Sequence, residues 1–556
     1  MRSLPRVPPI AAELLVRCLE SEGVEYVFGI PGEETLDLNA ALEESPVRFV
    51  PVRHEQGGAL IADVYGRLTG RAGVCLGTLG PGATNLVTAV ADAYLDRAPL
   101  VVLTGQADLE RQHKESHQYI DVVSLMRPIT KWNARLFGPG ITAEAVRKAF
   151  KVAEQEKPGA THLELPEDVM AAEVPAEAPT EPLLRPPSTT VEPPARLILE
   201  AAALINGAER PIVLAGNGIV RARAAPALRE FSRATGIPVA ETFMAKGLMD
   251  ADSERALGAV GLQAGDFDMA GFDEADLVIT VGYDLVEHSP AFWNPKRDRR
   301  IVCVDSVPAE TDENFIPEVE LIGDPYATLS RLAEECRQTT LSGIGSRLRE
   351  AVIGRLEVAG TDDAFPIRPP RALLEIRRLL GAEDILVSDV GLHKLWIGRL
   401  WPAHEPNTVL IANGLAAMGF AVPAAIAAKL VRPNRKVVAV SGDGGFLMNA
   451  QELETANRLG TAFVNVIWEN GQYGSIVWKQ EQRFGRHFGT DFTNPDFVRF
   501  AESFGLAAWR CESVADYGRR LAQALELEGP SLIVVPIDYS PEIAIAEELG
   551  AETVRI

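Results

Sequence analysis

Apolar residues in this chain gather into short continuous runs and do not alternate with polar ones. The runs occupy 24–30, 72–80, 99–105, 211–218, 276–284, 299–306, 384–391, 435–444, 463–470 and 531–538. They are rich in Val, Ile and Leu and are bounded by Gly, Asp or Asn. This is the pattern of strands buried on both faces. Between the runs lie amphipathic stretches of helical period, such as 451–460 and 516–529. Strand–helix alternation along a whole chain predicts parallel sheets covered by helices. Two proline-rich stretches, 171–194 and 359–370, interrupt the pattern and read as linkers. The expected architecture is α/β, with three doubly wound parallel-sheet domains over 1–185, 186–350 and 351–556. Such sheets bind ligands beyond the carboxyl ends of their strands, so the turns after the runs are where chemistry is sought.

Composition narrows the function. The 556 residues suffice for three domains. A net charge of −23 argues against nucleic acid or an anionic membrane surface as partner. Cys18, Cys75, Cys303, Cys336 and Cys511 form no CxxC pair, which predicts neither a disulfide framework nor a thiolate metal site. Charged residues break up the apolar positions of the first twenty residues, and no run of about 18 uncharged apolar residues follows. The expectation is a cytoplasmic chain with neither signal peptide nor membrane span.

The run at 435–444 ends in Gly442-Asp443-Gly444-Gly445. Glycines let the backbone approach an anion, and a following helix N-terminus attracts one. Asp443 would repel a bare phosphate. It makes sense if a divalent cation, Mg²⁺ or Ca²⁺, bridges it to the phosphates. The next run ends in Glu469-Asn470-Gly471-Gln472, 27 residues on from Asp443 to Asn470. Sequential parallel strands tend to be neighbours, which would bring the Asn470 amide oxygen to the same cation. Taken alone, each feature is also a plain turn or strand cap.

Together the two features resemble the signature of thiamine-diphosphate (ThDP) enzymes. That resemblance implies Mg²⁺ held by Asp443, Asn470 and the backbone carbonyl of Gln472. It assigns to the cofactor Val390, Gly391, Leu392 and a diphosphate-facing His393, then Ala416 and Met418 in 413–430. It adds Gly442, Gly444, Gly445, Tyr473 and Gly474. Met418 matches the apolar wedge between the two cofactor rings. Upstream, Arg53-His54-Glu55-Gln56-Gly57 and the segment 76–106 resemble the same enzymes. There Glu55 would share a proton with N1′ of the aminopyrimidine and so activate the cofactor. In this family Glu55 and Asp443 reach one cofactor from different subunits, which implies a homodimer or homotetramer with shared active sites.

Within these enzymes the chain resembles the acetolactate synthases over its whole length. His117-Gln118, followed by Arg127-Pro128-Ile129-Thr130-Lys131, is similar to the catabolic, FAD-independent branch. Gln118 is the expected substrate contact and His117 a helper. Asp284 replaces the Arg, and Gln480 the Trp, that biosynthetic enzymes use to select the acceptor. Leu392 departs from the Ser or Gln usual before the histidine. The resemblance implies decarboxylation of pyruvate and joining of its two-carbon unit to a second pyruvate, giving 2-acetolactate. The alternatives are an FAD-containing biosynthetic synthase, another ThDP-dependent 2-keto acid carboligase or decarboxylase, and a non-catalytic homologue. The turn Gly216-Asn217-Gly218 is a weak nucleotide signal that also fits a plain sheet turn.

Overall fold

In the computed structural model, which describes residues 8–186, 191–262, 265–338 and 345–540, each of the apolar runs named above contains a strand. The strands form three six-stranded sheets, and every pairing is parallel. The first holds β1 (Tyr26–Gly29), β2 (Arg48–Pro51), β3 (Gly73–Gly77), β4 (Leu100–Gln106), β5 (Trp132–Arg135) and β6 (Ala160–Pro166). The second holds β7 (Pro211–Ala215), β8 (Val239–Glu241), β9 (Ala256–Ala259), β10 (Leu277–Val281), β11 (Arg300–Asp305) and β12 (Val319–Ile322). The third holds β13 (Ile385–Ser388), β14 (Val409–Ile411), β15 (Val437–Gly442), β16 (Val464–Glu469), β17 (Ala507–Arg510) and β18 (Ser531–Pro536).

The first and third sheets share one strand order: β2-β1-β3-β4-β6-β5 and β14-β13-β15-β16-β18-β17. The second runs β12-β11-β10-β7-β8-β9, the order of dinucleotide-binding folds. In each sheet the order reverses inside the sheet, between β1 and β3, β7 and β10, or β13 and β15. Chains leaving adjacent strands there diverge to opposite faces and open a crevice.

Burial on both faces explains the continuous apolar runs. Along β7, Val213 and Ala215 join one core while Ile212 and Leu214 join another on the opposite face. Successive strand side chains point to opposite faces, so both parities must be apolar. The structure adds strands the pattern did not announce. β6 is wholly buried yet carries Thr161, His162 and Glu164. β12, β14 and β17 are short edge strands. Residues 172–186 of the first linker form neither helix nor regular strand, and 187–190 of it lie outside the described residues. Pro369 and Pro370 of the second open a helix, Pro369–Arg377.

The chain divides into two compact units. One contains the first sheet together with Gly414–Pro433 and Asn449–Thr461; the other contains the second and third sheets. Cys18, Cys75, Cys303 and Cys511 are buried, Cys336 is half-buried, and all five are free thiols.

Candidate active site

In the first unit Glu55 is the first residue of the helix Glu55–Thr69 and is 6% exposed. His54 caps that helix, its Nδ1 accepting from the Gln56 N–H at 3.1 Å. Asn85, on the helix Pro81–Leu95, donates from Nδ2 to Glu55 Oε2 at 2.9 Å. The turn ahead of Glu55 is held by Glu452, which accepts at Oε1 from the N–H groups of Arg53 (3.1 Å) and His54 (3.0 Å). Burial pushes the Glu452 carboxyl up to about 7, against these hydrogen bonds and that of Thr455, which pull it down. A Cβ on Gly57 would lie 2.6 Å from Glu452 Oε1, so only glycine admits this carboxylate.

The segment carrying Ala416 and Met418 is clamped in the same unit. Asp92 Oδ1 accepts from the Ala417 N–H at 3.1 Å, and Asp96 Oδ1 accepts from the Gly414 N–H. Arg67 pairs with Asp63, with Asp96 at 2.7 Å and with Asp92 at 3.5 Å. Its guanidinium carbon sits 5.2 Å from the Phe420 ring centroid. One buried cation among three buried carboxylates leaves excess negative charge, and burial with that crowding raises Asp92 well above the carboxylate range. Gly414 packs against the Leu95 carbonyl so tightly that a Cβ would lie 2.8 Å from it. Ala416 takes φ 60°, a left-handed conformation costly for alanine.

Gln118 and His117 lie on an exposed irregular loop. Gln118 also takes a left-handed φ of 59°, and a Cβ on Gly80 would lie 2.7 Å from its carbonyl oxygen. Strain held at two non-glycine residues of the predicted site is the kind found where function fixes the backbone.

In the second unit the crevice between β13 and β15 collects the remaining predicted residues. The turn Asp389–Gly391 leads into the helix Leu392–Leu400, and Gly442 leads into a single helical turn, Asp443–Phe446. His393 is 2% exposed, and its ring lies over both turns: a Cβ on Gly391 would be 2.7 Å, and one on Gly442 3.3 Å, from His393 Cε1. Burial pulls the imidazole down to about 4, so it is neutral. Its Nε2 is buried with no hydrogen-bond partner among the described residues. A Cβ on Gly444 would meet the Tyr473 ring at 2.7 Å, and one on Gly474 would meet Leu392 Cδ1 at 2.8 Å.

Asp443 is 1% exposed. Its Oδ2 accepts from the N–H groups of Asn470 (3.0 Å) and Gly471 (2.7 Å) and from Asn494 Nδ2 (2.9 Å); its Oδ1 accepts from the Gly444 N–H (3.0 Å). The pairing of β15 with β16 brings Asn470 beside Asp443, through its main chain. Gln472 bridges to Asp491, its Nε2 donating to Asp491 Oδ1 at 2.7 Å. Among the described residues no cationic side chain pairs with Asp443, and Asn494 Oδ1 is buried without a partner. A buried carboxylate beside one unpaired amide oxygen suits a hard divalent cation. Asn494, Asn85, Asp92, Asp96 and Glu452 were not singled out from the sequence. Gln480 is engaged elsewhere: its amide holds the Phe488 main chain, accepting its N–H at 2.7 Å and donating to its carbonyl at 3.3 Å.

The β7–β10 crevice is different. The N–H of Asn217, within the Gly216-Asn217-Gly218 turn, is met by the Glu287 carboxylate at 3.2 and 3.3 Å, and Thr242 donates to Glu287 Oε1 at 2.9 Å. Burial and the neighbouring Asp284 charge push Glu287 up to about 7.

Three family models match the chain: the thiamine pyrophosphate enzyme N-terminal TPP binding domain over 10–125, the central domain over 198–332 and the C-terminal TPP binding domain over 389–535. An acetolactate synthase of Bacillus subtilis (strain 168) is 36% identical over 548 residues, covering 97% of this chain and 95% of the relative. A catabolic acetolactate synthase of Raoultella terrigena is 35% identical, covering 95% of each. A probable acetolactate synthase large subunit of Methanocaldococcus jannaschii is 34% identical, covering 98% of this chain and 94% of the relative. Matched by all three domain models and by relatives of 34–36% identity along nearly its whole length, the chain belongs to the acetolactate synthase family of thiamine pyrophosphate enzymes.

Proposed function

We propose that the protein is a ThDP- and Mg²⁺-dependent carboligase that converts two pyruvates into 2-acetolactate and CO₂. Similarity to acetolactate synthases along nearly the whole chain carries this reading. When bound, thiamine diphosphate supplies the nucleophilic carbon and the electron sink for decarboxylation. The chain's own residues do the rest. Glu55, with Oε2 fixed by Asn85, keeps Oε1 for the aminopyrimidine and moves a proton at N1′. His393, its ring anchored at the Asp389 backbone, would donate from its unpartnered Nε2 to the diphosphate in the protonated form that the diphosphate's charge favours, and Gly391, Gly442, Gly444 and Gly445 would let it approach. Asp443, Asn470 and the Gln472 carbonyl hold Mg²⁺. Val390, Leu392, Tyr473 and Gly474 complete the cradle. Met418, on the segment clamped by Asp92 and Asp96, would pack against the cofactor rings and help to hold the thiazolium where its carbon can react. Gln118 contacts the keto acid, with His117 beside it, and Gln480 shapes the acceptor side through the Phe488 turn. The working form is a homodimer or homotetramer in which Glu55 and Asp443 of different subunits share a cofactor, located in the cytoplasm. Among the described residues no helix is long and apolar enough to cross a membrane.

The catabolic, FAD-independent branch is favoured by Glu287. Its carboxylate lies on the Asn217 N–H, where a dinucleotide's diphosphate would sit in a sheet of this order. Assaying CO₂ and acetolactate from pyruvate, with ThDP, Mg²⁺ and FAD each added or withheld, tests the reading. Activity that needs ThDP and Mg²⁺ and ignores FAD is expected. No acetolactate under any combination would refute it.

A further inference from the structure

A cavity of about 300 Å³ lies in the second unit, away from the residues assigned to the cofactor. Its apolar wall includes Met249, Leu257, Val352, Ile353, Leu356 and Trp401. Lys246, Arg349 and Arg399 also line it, against the carboxyls of Glu241 and Asp252. Most of these charges are committed. Arg399 pairs with Asp266. Arg349 donates to the Ala251 carbonyl at 2.9 Å and the Ala256 carbonyl at 3.4 Å. Glu241 accepts from the N–H groups of Met249 and Gly247.

Lys246 is the exception. It is 6% exposed, yet among the described residues it makes neither a hydrogen bond nor an ion pair. The Glu241 carboxylate answers its charge through space but not through a hydrogen bond, which leaves its three donors unmatched among the described residues at a mostly apolar wall, and unmatched buried donors are costly. A ligand that provides a negative charge removes that cost. The rest of the wall demands that the charge sit on an apolar body. At about 300 Å³ the space is at the small end of small-ligand pockets.

We propose that this cavity is a non-catalytic binding site for a short aliphatic monocarboxylate, its carboxylate on Lys246 and its alkyl body against Leu257, Ile353 and Trp401. The site does not depend on the proposed reaction. Glu241 gives no subsite for an ammonium group, because its oxygens are already taken by backbone N–H groups; the ligand is an anion and not a zwitterion. The helix Leu392–Leu400 carries Arg399 of this cavity at one end and His393 at the other, so the site is built on the element that forms the diphosphate turn.

Isothermal titration of the full-length protein, loaded with ThDP and Mg²⁺, with 3-methylbutanoate tests this. Saturable binding at one site per chain is expected, with no binding of 3-methylbutanamide, which lacks the charge, or of inorganic phosphate, which lacks the alkyl body. Lys246→Met should weaken 3-methylbutanoate at least tenfold, the scale of a lost charge-assisted hydrogen bond. Ala251→Leu fills the cavity without altering its charge, should abolish binding, and carries the test if Lys246→Met does not fold. Absence of binding to the parent protein would overturn the proposal. So would undiminished binding to either variant, which would place the carboxylate elsewhere, or amide or phosphate binding as tight as the acid.

Discussion

Two crevices of the same kind, at the strand-order reversals of the second and third sheets, treat an anion in opposite ways. Between β13 and β15 lie the turn glycines and the buried His393, whose Nε2 has no partner among the described residues. Between β7 and β10 the chain provides its own acceptor: the Glu287 carboxylate caps the Asn217 N–H, and Thr242 supports it. Topology makes a crevice in both, as it does in any open parallel sheet whose order reverses. In the reading proposed above, a single acidic side chain reaching back into one of them makes it a structural joint while the other is left for a ligand. Fold order alone would have assigned a nucleotide to the second sheet.

The comparison can be broken or sharpened by substitution. The largest effect is expected at the first sheet, whose order repeats that of the third. There Glu55 brings an acid and not an acceptor, and Glu55→Gln should cut turnover by about 10²–10⁴-fold, the range for a lost general acid–base. ThDP affinity, followed by quenching of tryptophan fluorescence, should change little. Retention of near-parental turnover would remove Glu55 from the chemistry.

Glu287→Gln comes next. The folded-state pKa of Glu287 is raised to about 7 from 4.5, so folding favours its protonated form. That contribution is complete below about 4.5 and is lost as the pH rises through 7. Urea titrations at pH 5 and pH 8 should therefore show the parent losing up to about 3 kcal/mol relative to Glu287→Gln across this interval, at 1.36 kcal/mol per pKa unit. Identical pH dependence in the two proteins would mean that Glu287 is not buried as described. Glu287→Ala should let ADP bind measurably where the parent does not; a crevice that still excludes ADP would show that more than one carboxylate closes it.

At the matching position of the third sheet, His393→Ala removes the Nε2 contact proposed for the diphosphate and should weaken ThDP about tenfold in equilibrium dialysis. The smallest effect is expected from Asp92→Ala, which frees the Ala417 N–H and should destabilise the protein by about 1 kcal/mol while modestly weakening ThDP. An unchanged melting temperature would show that Asp96 alone holds the segment.

The central strands were legible because burial on both faces writes a continuous apolar run. β6 was not, because Thr161, His162 and Glu164 find partners inside the sheet: His162 with Thr104 at 2.8 Å, Glu164 with Gln106 at 2.9 Å and with Arg135. A buried polar residue with a partner looks, in sequence, like an exposed one. The turn residues around Asp443 and His393 were legible because each cluster is contiguous and ends a recognisable strand. Asp92, Asp96, Glu452 and Asn494 were hidden for the opposite reason. They act across long separations in sequence on backbone N–H groups or on another carboxylate, and a carboxylate on a helix face carries no mark of that task. Strand order, and with it the likeness between the first and third sheets, rests on pairings that local patterns do not encode.

The clamp by Asp92 and Asp96 also bears on how the molecule can be taken apart. Gly414–Pro433 and Asn449–Thr461, strung between strands of the third sheet, complete the compact body built around the first. A recombinant fragment ending near Ser188 would lack both inserts. It would leave the cluster of Asp63, Asp92 and Asp96 around Arg67 uncovered on the side where Phe420 now stacks, and Arg53 and His54 without Glu452. The cut suggested by the linker thus severs the polypeptide where it is exposed, but not where the compact unit ends. A circularly rearranged gene that carries both inserts with the first sheet is the shorter path to an autonomous piece.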